Sequence, residues 1–322
     1  MKRRLAGVLA VLAVAFAAGA GAQDYPSKPI RILVPFAPGG AVDTSARILT
    51  QKMTERLGWQ FVIENRPGGN GFIATTAAAK APPDGYTLLM AHTGEFSVNP
   101  VLFANVPYDL DRDFIAVTMV SDGPMLYLAN KDAPFNNLSE LVAAAKAKPG
   151  AITFSSAGTG SINHLAGEWL ALAAGIQLLH VPYKGGAPGA TAVAAGDVQF
   201  GVTAVPGATP HLKSGRAKVL GITTAKHSAL DPAWGTPRDA GIPDVDASIW
   251  SGLFAPKGVP QPIVDQINAE VRRTLDSPEV KARFAEQGFE TAGMSSADFN
   301  VRIKKDLERY RGVVKAANIK AE

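Results

Sequence analysis

The sequence predicts an α/β protein made of two lobes. Short apolar runs typical of buried strands alternate with segments of helical periodicity, which is the pattern of a parallel sheet with helices on its faces. The alternation occurs in two series along the chain, and no low-complexity linker separates them. A helical region follows from about Pro260. We therefore expect each lobe to be a mostly parallel sheet flanked by helices.

The first 22 residues are predicted to be a signal peptide. Lys2, Arg3 and Arg4 precede a small apolar run, and Ala20-Gly21-Ala22 fits a signal-peptidase site. The run is short and rich in Ala and Gly, so it does not indicate a membrane span. We expect a mature chain that starts at Gln23 and is exported to a bacterial periplasm.

Composition argues against several classes of protein. The formal net charge of +4 includes three basic and no acidic residues of the leader, so the mature chain carries +1. No basic run indicates nucleic-acid binding. With 0 Cys, disulfides, thiol catalysis and cysteine metal sites are absent. The five His show no compact metal-ligand spacing, so no metal and no cofactor are expected.

The first series is a β-α-β-α-β pattern. A helix follows the first strand, with Val42, Ala46, Leu49, Met53 and Leu57 on one face, and Gly58 supplies its C-terminal stop. An Ala-rich helix ends near Lys80. The strands predicted in this series are Ile30–Phe36, Phe61–Asn65 and Gly85–Gly94.

The second series begins with the helix "LSELVAAAKAKPG" and the strand Ala151–Ser156. A Gly-rich turn then leads into a helix whose apolar face is predicted as Ile162, Leu165, Trp169 and Leu172, ended by Gly175. Three further strands are "LLHVPYK", "VQFGVTAV" and "AKVLGITT". We expect the chain to cross between lobes near Asp122–Asn130 and Thr223–Asp231. Lobe 1 would then comprise residues 23–124 and 229–322, and lobe 2 residues 125–228.

Two strand–glycine–helix junctions stand out, one in each series: Pro38–Thr44 and Ser156–His164. The first turn of a helix has N–H groups without intrahelical partners, and glycine lets a ligand approach them closely. Such a junction can bind an anion at the carboxyl ends of the strands. The alternative is an ordinary tight turn in which Asp43 and Ser161 only cap helices. Neither stretch matches a dinucleotide fingerprint or a Walker loop.

Longer stretches resemble a known family. "YPSKPIRILVPFAPGGAVD", "VIENRPGGNG", "PDGYTLL", "HVPYKGGAPGATAVAAGDVQF" and "GLFAPKGVPQPIV" are similar to the Bug-type receptors of tripartite tricarboxylate transporters. The resemblance covers nearly the whole mature chain. It implies a type II, Venus-flytrap periplasmic binding protein that is not an enzyme. Such a protein, expected here as a monomer, closes on a small carboxylate and delivers it to membrane transporter subunits.

The resemblance also implies which residues bind the carboxylate, largely through backbone N–H groups and bridging water. On lobe 1 they are Phe36, Pro38, Gly39, Gly40, Asp43 and Thr44. On lobe 2 they are Ser156, Gly158, Thr159, Gly160, Ser161 and His164.

One stretch departs from the family pattern. "AHTGEFSVNP" carries Glu95 and Phe96 where small polar residues and a His are usual. A carboxylate in the cleft would repel a polyanion and pair with a cation. This leads to the hypothesis of a ligand with a carboxylate and either a cationic group or an aromatic ring, such as an amino acid or an aromatic acid. The alternative is that Glu95 points to solvent.

Three other residues are candidates for the cleft. Tyr183 and Lys184 end a strand before a glycine turn, and Lys184 would add positive potential for anion capture. The alternative is a packing Tyr and a surface Lys. Thr203 follows a strand, so its hydroxyl could reach the same crevice. Arg66 is expected to form a salt link or stabilise a turn.

Two further functions compete with transport. The closed receptor could dock a sensor kinase domain instead of a permease. Ser161 and His164 could also serve a secreted hydrolase, although no Gly-x-Ser-x-Gly elbow surrounds the serine.

Overall fold

A computed structural model describes residues 25–228, 231–242, 245–316 and 319. The predicted signal peptide, residues 1–22, lies outside the described residues. Within the described part of the chain, no helix has the length and apolar character needed to cross a membrane.

The first series forms three parallel strands in the order β2-β1-β3. They are β1 (Ile30–Val34), β2 (Phe61–Asn65) and β3 (Thr87–His92), joined by the helices α1 (Ala41–Leu57) and α2 (Phe72–Ala79). Helix α1 forms as predicted because its apolar positions lie on one buried face. It ends where Gly58 adopts φ 72°, the left-handed conformation that glycine tolerates.

A compact connection links β3 to a long strand. A π-helical turn (Gly94–Val98) leads into the short helices α3 (Asn99–Leu102) and α4 (Leu110–Asp113). The strand β4 (Phe114–Asn130) then runs for 17 residues.

The second series also has three parallel strands. Helix α5 (Leu138–Ala147) precedes them. The strands β5 (Thr153–Ser156), β6 (Leu179–Pro182) and β7 (Phe200–Ala204) are interleaved with α6 (Ile162–Ala174) and α7 (Gly186–Ala195). Helix α8 (Val205–Lys213) and strand β8 (Ala217–Ile222) complete the series. Leu172, predicted on the buried face of α6, is 48% exposed, which corrects that part of the pattern. Ile162 and Leu165 are buried as predicted, Trp169 is half-buried, and Leu170 completes the buried stripe.

The C-terminal part is helical, as predicted, after one more strand. That strand is β9 (Ser248–Pro256), and α9 (Gln261–Leu275), α10 (Pro278–Ala285), the two-residue β10 (Glu290–Thr291) and α11 (Ser296–Ala316) follow it.

Strand β4 takes part in both halves of the sheet. Residues 114–124 pair antiparallel with β9, whereas residues 125–130 pair antiparallel with β7 and β8. The described strands follow the order β2-β1-β3-β9-β4-β7-β5-β6. The prediction of a two-lobed α/β fold is confirmed. The sheets contain more antiparallel pairing than expected, because β4 and β9 run against their neighbours.

Candidate functional site

A small pocket lies between the two halves of the sheet, at the carboxyl ends of the parallel strands. It has a volume of about 20 Å³, close to the space of one water molecule. Both halves of the chain contribute to it. The lining residues are Phe36, Gly40, Ala41, Val42, His92, Ala157, Asn163, Gly186, Thr203, Ala204 and Ile249.

Helix α1 begins at this pocket. Gly40 is its N-cap residue, and the Thr44 N–H donates to the Gly40 carbonyl at 2.9 Å, so the helical ladder starts there. Within the described part of the chain, the N–H groups of Ala41, Val42 and Asp43 have no protein acceptor. These first-turn donors, together with the helix dipole, favour a negative group at this end of α1.

Asp43 holds the loop before α1 in place. Its Oδ2 accepts from the Gly39 N–H and from Arg47 Nε, each at 2.9 Å, and its Oδ1 accepts from Asn65 Nδ2 at 3.0 Å. Burial by itself raises the pKa of Asp43, but the hydrogen bonds from Arg47, Gly39 and Asn65 outweigh it, so the pKa lies below its usual value. The carboxylate is therefore occupied within its own lobe and shapes the loop. It is not the N-cap of α1, since Gly40 holds that position.

Helix α6 begins at the pocket from the other lobe. Ser161 is its N-cap residue, and the Ser161 Oγ accepts from the His164 N–H at 3.2 Å. Asn163 lines the pocket while its Nδ2 donates to the Val202 carbonyl at 3.0 Å. Among the described residues, the N–H groups of Ile162 and Asn163 have no protein acceptor. This helix start thus offers donors similar to those of α1.

Two stacked histidines support the loop before α6. The rings of His164 and His180 lie 3.9 Å apart between centroids. His164 Nδ1 accepts from the Gly160 N–H at 3.1 Å. His180 Nε2 lies 2.6 Å from Ser156 Oγ. The Ser156 Oγ also accepts from the Gly158 N–H. Burial and, to a lesser extent, His164 lower the pKa of His180 to about 3. A neutral His180 therefore shares a hydrogen bond with the Ser156 hydroxyl and holds the loop.

The starts of α7 and α8 complete the pocket wall. Gly186 opens α7 and Ala204 is the N-cap residue of α8. Thr203 Oγ1 donates to the Gly186 carbonyl at 3.1 Å, so the two starts are tied together. The sequence analysis identified two helix starts, whereas the structure brings four to one pocket.

The lobes touch on either side of the pocket. A Cβ added to Gly39 would lie 3.9 Å from the Ala187 Cβ. A Cβ added to Gly160, which has φ +79°, would lie 2.7 Å from both Leu102 Cδ2 and the Phe103 ring. Gly160 therefore allows a close approach between the lobes.

The predicted site residues divide into three groups. Phe36, Gly40 and Thr203 line the pocket. A second group shapes the loops around it through hydrogen bonds: Gly39, Asp43, Thr44, Ser156, Gly158, Gly160, Ser161 and His164. Six predicted residues are not among the lining residues: Pro38, Thr159, Tyr183, Lys184, Glu95 and Phe96.

In this last group, Pro38 and Lys184 are exposed and Thr159 is half-buried in its loop. Tyr183 packs against the apolar cluster beside α7 and α8, which favours the packing alternative. Arg66 forms the expected salt link, with Glu64 at 2.7 Å.

Glu95 and Phe96 are both turned inward. The Glu95 side chain is 0% exposed, so the solvent-facing alternative is wrong. Its Oε2 accepts from the His92 N–H at 2.8 Å, which places it behind the pocket wall. Phe96 packs in an aromatic cluster with Tyr108, Phe114 and Phe254. The π-helical turn rotates both side chains into lobe 1, and no sequence pattern indicated that turn.

Several pocket residues were missed by the sequence analysis. His92 ends β3, and its ring stacks on Phe36 with centroids 4.6 Å apart. Ile249 comes from β9, a strand that was not predicted. Asn163 carried a usable signal, because it sits two residues after the helix cap Ser161. His92 also carried one, as the last residue of a predicted strand.

The Ser161–His164 pair does not have a hydrolase geometry. The Ser161 Oγ accepts from the His164 backbone N–H, and the His164 ring nitrogen accepts from Gly160. The imidazole is therefore not positioned to take a proton from that hydroxyl.

Comparisons with known proteins agree with this architecture. The family described as "Tripartite tricarboxylate transporter family receptor" matches residues 45–319. The chain is 34% identical over 322 residues to the protein BugT of Bordetella pertussis, covering 99% of each. Its structure is similar to that of R. palustris Rpa4515 with adipate (TM-score 0.90, 31% identity, 92% of this chain and 99% of that one). It is also similar to MatC from Rhodopseudomonas palustris with bound malate (TM-score 0.84, 32% identity, 90% of this chain and 100% of that one). The chain belongs to the family of tripartite tricarboxylate transporter receptors.

Proposed function

We propose that this protein is a periplasmic receptor that captures a small carboxylate between its lobes and presents it to the membrane subunits of a tripartite transporter. The observation that carries the proposal is the set of helix starts at one pocket between the lobes. The family relationship supports it, as do two similar structures, Rpa4515 with adipate and MatC with bound malate.

Backbone donors can supply the affinity without an arginine. A hydrogen bond to a charged group contributes about 1.5–3 kcal/mol. Four such bonds would contribute about 6–12 kcal/mol, a range that includes the roughly 8 kcal/mol of a micromolar Kd. The first-turn N–H groups of α1, α6 and α7, at Ala41, Val42, Asn163 and Gly186, are the donors we assign to this role.

Binding requires the lobes to separate. The pocket measures about 20 Å³, whereas small-molecule sites usually measure about 300–1,000 Å³. We propose a hinge where β4 passes from one half of the sheet to the other, between Pro124 and Met125. The lobes would then comprise residues 23–124 with 229–322, and residues 125–228.

A simple carboxylate fits the pocket better than an amino acid or an aromatic acid. None of the lining side chains is acidic, and Glu95 lies behind His92, so an ammonium group would find no counter-charge. Phe96 is occupied in the core. We also propose that the protein binds its ligand without catalysis and works as a monomer.

A thermal-shift screen followed by calorimetry tests the proposal. Succinate, malate and adipate should raise the melting temperature, since a ligand that binds only the folded state stabilises it. The corresponding diamides are matched controls that keep the size and lose the charge, and they should have no effect. If no carboxylate shifts the melting temperature, or if the diamides bind equally well, the proposed function is wrong.

A further inference from the structure

His92 is the one titratable side chain among the residues that line the pocket. The others are glycine, aliphatic residues, Phe36, Asn163 and Thr203. Within the described residues, Nε2 of His92 has no protein partner, whereas its Nδ1 is engaged below the pocket wall. The ring therefore has one nitrogen left for a ligand.

Glu95 fixes the other edge of this ring. Its Oε2 lies 2.8 Å from His92 Nδ1 and also accepts from the His92 backbone N–H at 2.8 Å. The Gly94 N–H donates to the same Nδ1 at 2.9 Å, so Nδ1 is an acceptor and Nε2 carries the ring proton. The stacked Phe36 ring limits rotation of the imidazole. Together these contacts fix the orientation of Nε2.

The Glu95 carboxyl group is held in the interior of lobe 1. Glu95 is 0% exposed, and within the described residues its Oε1 has no hydrogen-bond partner. Among the same residues no Lys or Arg pairs with it. The neighbouring Tyr108 donates its hydroxyl to the Glu95 carbonyl and stays neutral, because burial and then Glu95 raise its pKa. A buried polar group depends on its few hydrogen bonds, so the contact between Glu95 and the His92 backbone holds both residues in place.

We propose that His92 is a specificity-determining contact for a second acidic group of the ligand, and that Glu95 is its positioning residue. The proposal rests on the proposed function and goes beyond it. The helix starts hold one carboxylate, and His92 donates from Nε2–H to an oxygen of the other. This arrangement selects dicarboxylates over monocarboxylates of equal chain length. It also selects against an ammonium group at this position, because Nε2–H is a donor and offers that group no acceptor.

The test compares matched ligands by calorimetry: succinate against butyrate, and adipate against hexanoate. We expect the wild type to prefer the dicarboxylate of at least one pair. His92→Gln should reduce that preference about tenfold, as expected for loss of one charge-assisted hydrogen bond, and leave monocarboxylate affinity within about threefold. Glu95→Gln should reduce the preference by a smaller factor. His211→Gln removes a buried histidine that does not line the pocket and serves as the matched control, with an unchanged preference.

The outcomes separate the two proposals. If neither dicarboxylates nor monocarboxylates bind the wild type, the proposed function is wrong. If the wild type shows no preference, or if His92→Gln weakens both ligand types equally, His92 is only part of the wall and this inference is wrong while the proposed function stands. Nitrogen-15 NMR of the wild-type imidazole gives a result that needs no variant. With a bound dicarboxylate Nε2 should be protonated, and an unprotonated Nε2 would overturn the inference.

Discussion

At the scale of single residues, Asp43 and His180 shape the binding loops without lining the pocket. Asp43 joins the loop before α1 to Arg47 and Asn65. His180 forms a hydrogen bond with the Ser156 hydroxyl, which in turn accepts from the Gly158 N–H in the loop before α6. Residues of this kind affect ligand affinity through loop geometry, and their roles can be measured separately from direct ligand contact.

Asp43→Asn should lower both stability and affinity. The substitution removes a charge-assisted bond to Arg47 and one acceptor for the loop, so we expect a loss of about 1–2 kcal/mol of folding free energy. Carboxylate affinity should fall about tenfold because the α1 donors lose their alignment. Urea unfolding and calorimetry measure the two effects. Glu55→Gln, at an exposed acid on the same helix, should change stability by no more than about 0.5 kcal/mol. Equal effects of the two variants would contradict this role for Asp43.

His180 should make stability depend on pH. The pKa of the folded group is lowered to about 3, whereas an unfolded histidine titrates near 6.5. The unfolded state therefore takes up the proton first, and stability falls as pH drops below about 6.5. Between pH 7 and pH 5 we expect a loss of about 1 kcal/mol after allowance for solvent screening.

His180→Gln should reduce the loss of unfolding free energy between pH 7 and pH 5, as measured by urea unfolding. His227→Gln, at an exposed histidine, should keep the wild-type dependence of the unfolding free energy on pH. If the wild type and His180→Gln lose the same unfolding free energy between pH 7 and pH 5, another group causes the loss and this role for His180 is wrong.

At the scale of elements, the helix starts link folding to binding. Ser161→Ala and Ser277→Ala each remove a side-chain N-cap, from α6 and α10 respectively. Each should cost about 1 kcal/mol of stability. The cap of α6 also fixes the donors of Ile162 and Asn163, so Ser161→Ala alone should weaken carboxylate binding severalfold. Calorimetry on both variants tests this, and equal affinities would contradict a role for the α6 start in binding.

The sequence predicted those elements whose signals are local. β1 and β2 are apolar runs bounded by Pro or Gly, and α1 has an apolar face with a glycine stop, so their positions could be predicted closely. β4 was missed because Asp122, Gly123 and Pro124, which usually indicate a turn, lie inside it. They are tolerated there because the strand changes partners after Pro124.

The site residues that the sequence did not predict also depend on features that are not local. The α1 and α6 junctions were visible as glycine turns next to helical periodicity. The inward rotation of Glu95 depends on the π-helical turn Gly94–Val98, and the place of Ile249 depends on long-range strand pairing. Both are tertiary features, and no local spacing indicates them.

At the scale of the whole molecule, function depends on how closely the lobes approach. Gly160→Ala should hinder closure, because the added Cβ would meet Leu102 and Phe103 of the opposite lobe at 2.7 Å. We expect weaker carboxylate binding and a larger radius of gyration by X-ray scattering in the presence of ligand. Gly175→Ala has the same backbone strain, at φ +61°, with no atom within 4 Å of its Cβ. It should keep the wild-type radius and affinity, and a Gly160→Ala protein indistinguishable from it would contradict closure at this contact.

The most direct test of the account is a crystal structure with the tightest-binding carboxylate of the screen. The account predicts carboxylate oxygens about 2.9 Å from the first-turn N–H groups of α1 and α6, at Ala41 or Val42 and at Asn163. A carboxylate bound outside the space between the lobes, or held by side-chain cations with both helix starts turned away from it, would contradict the account.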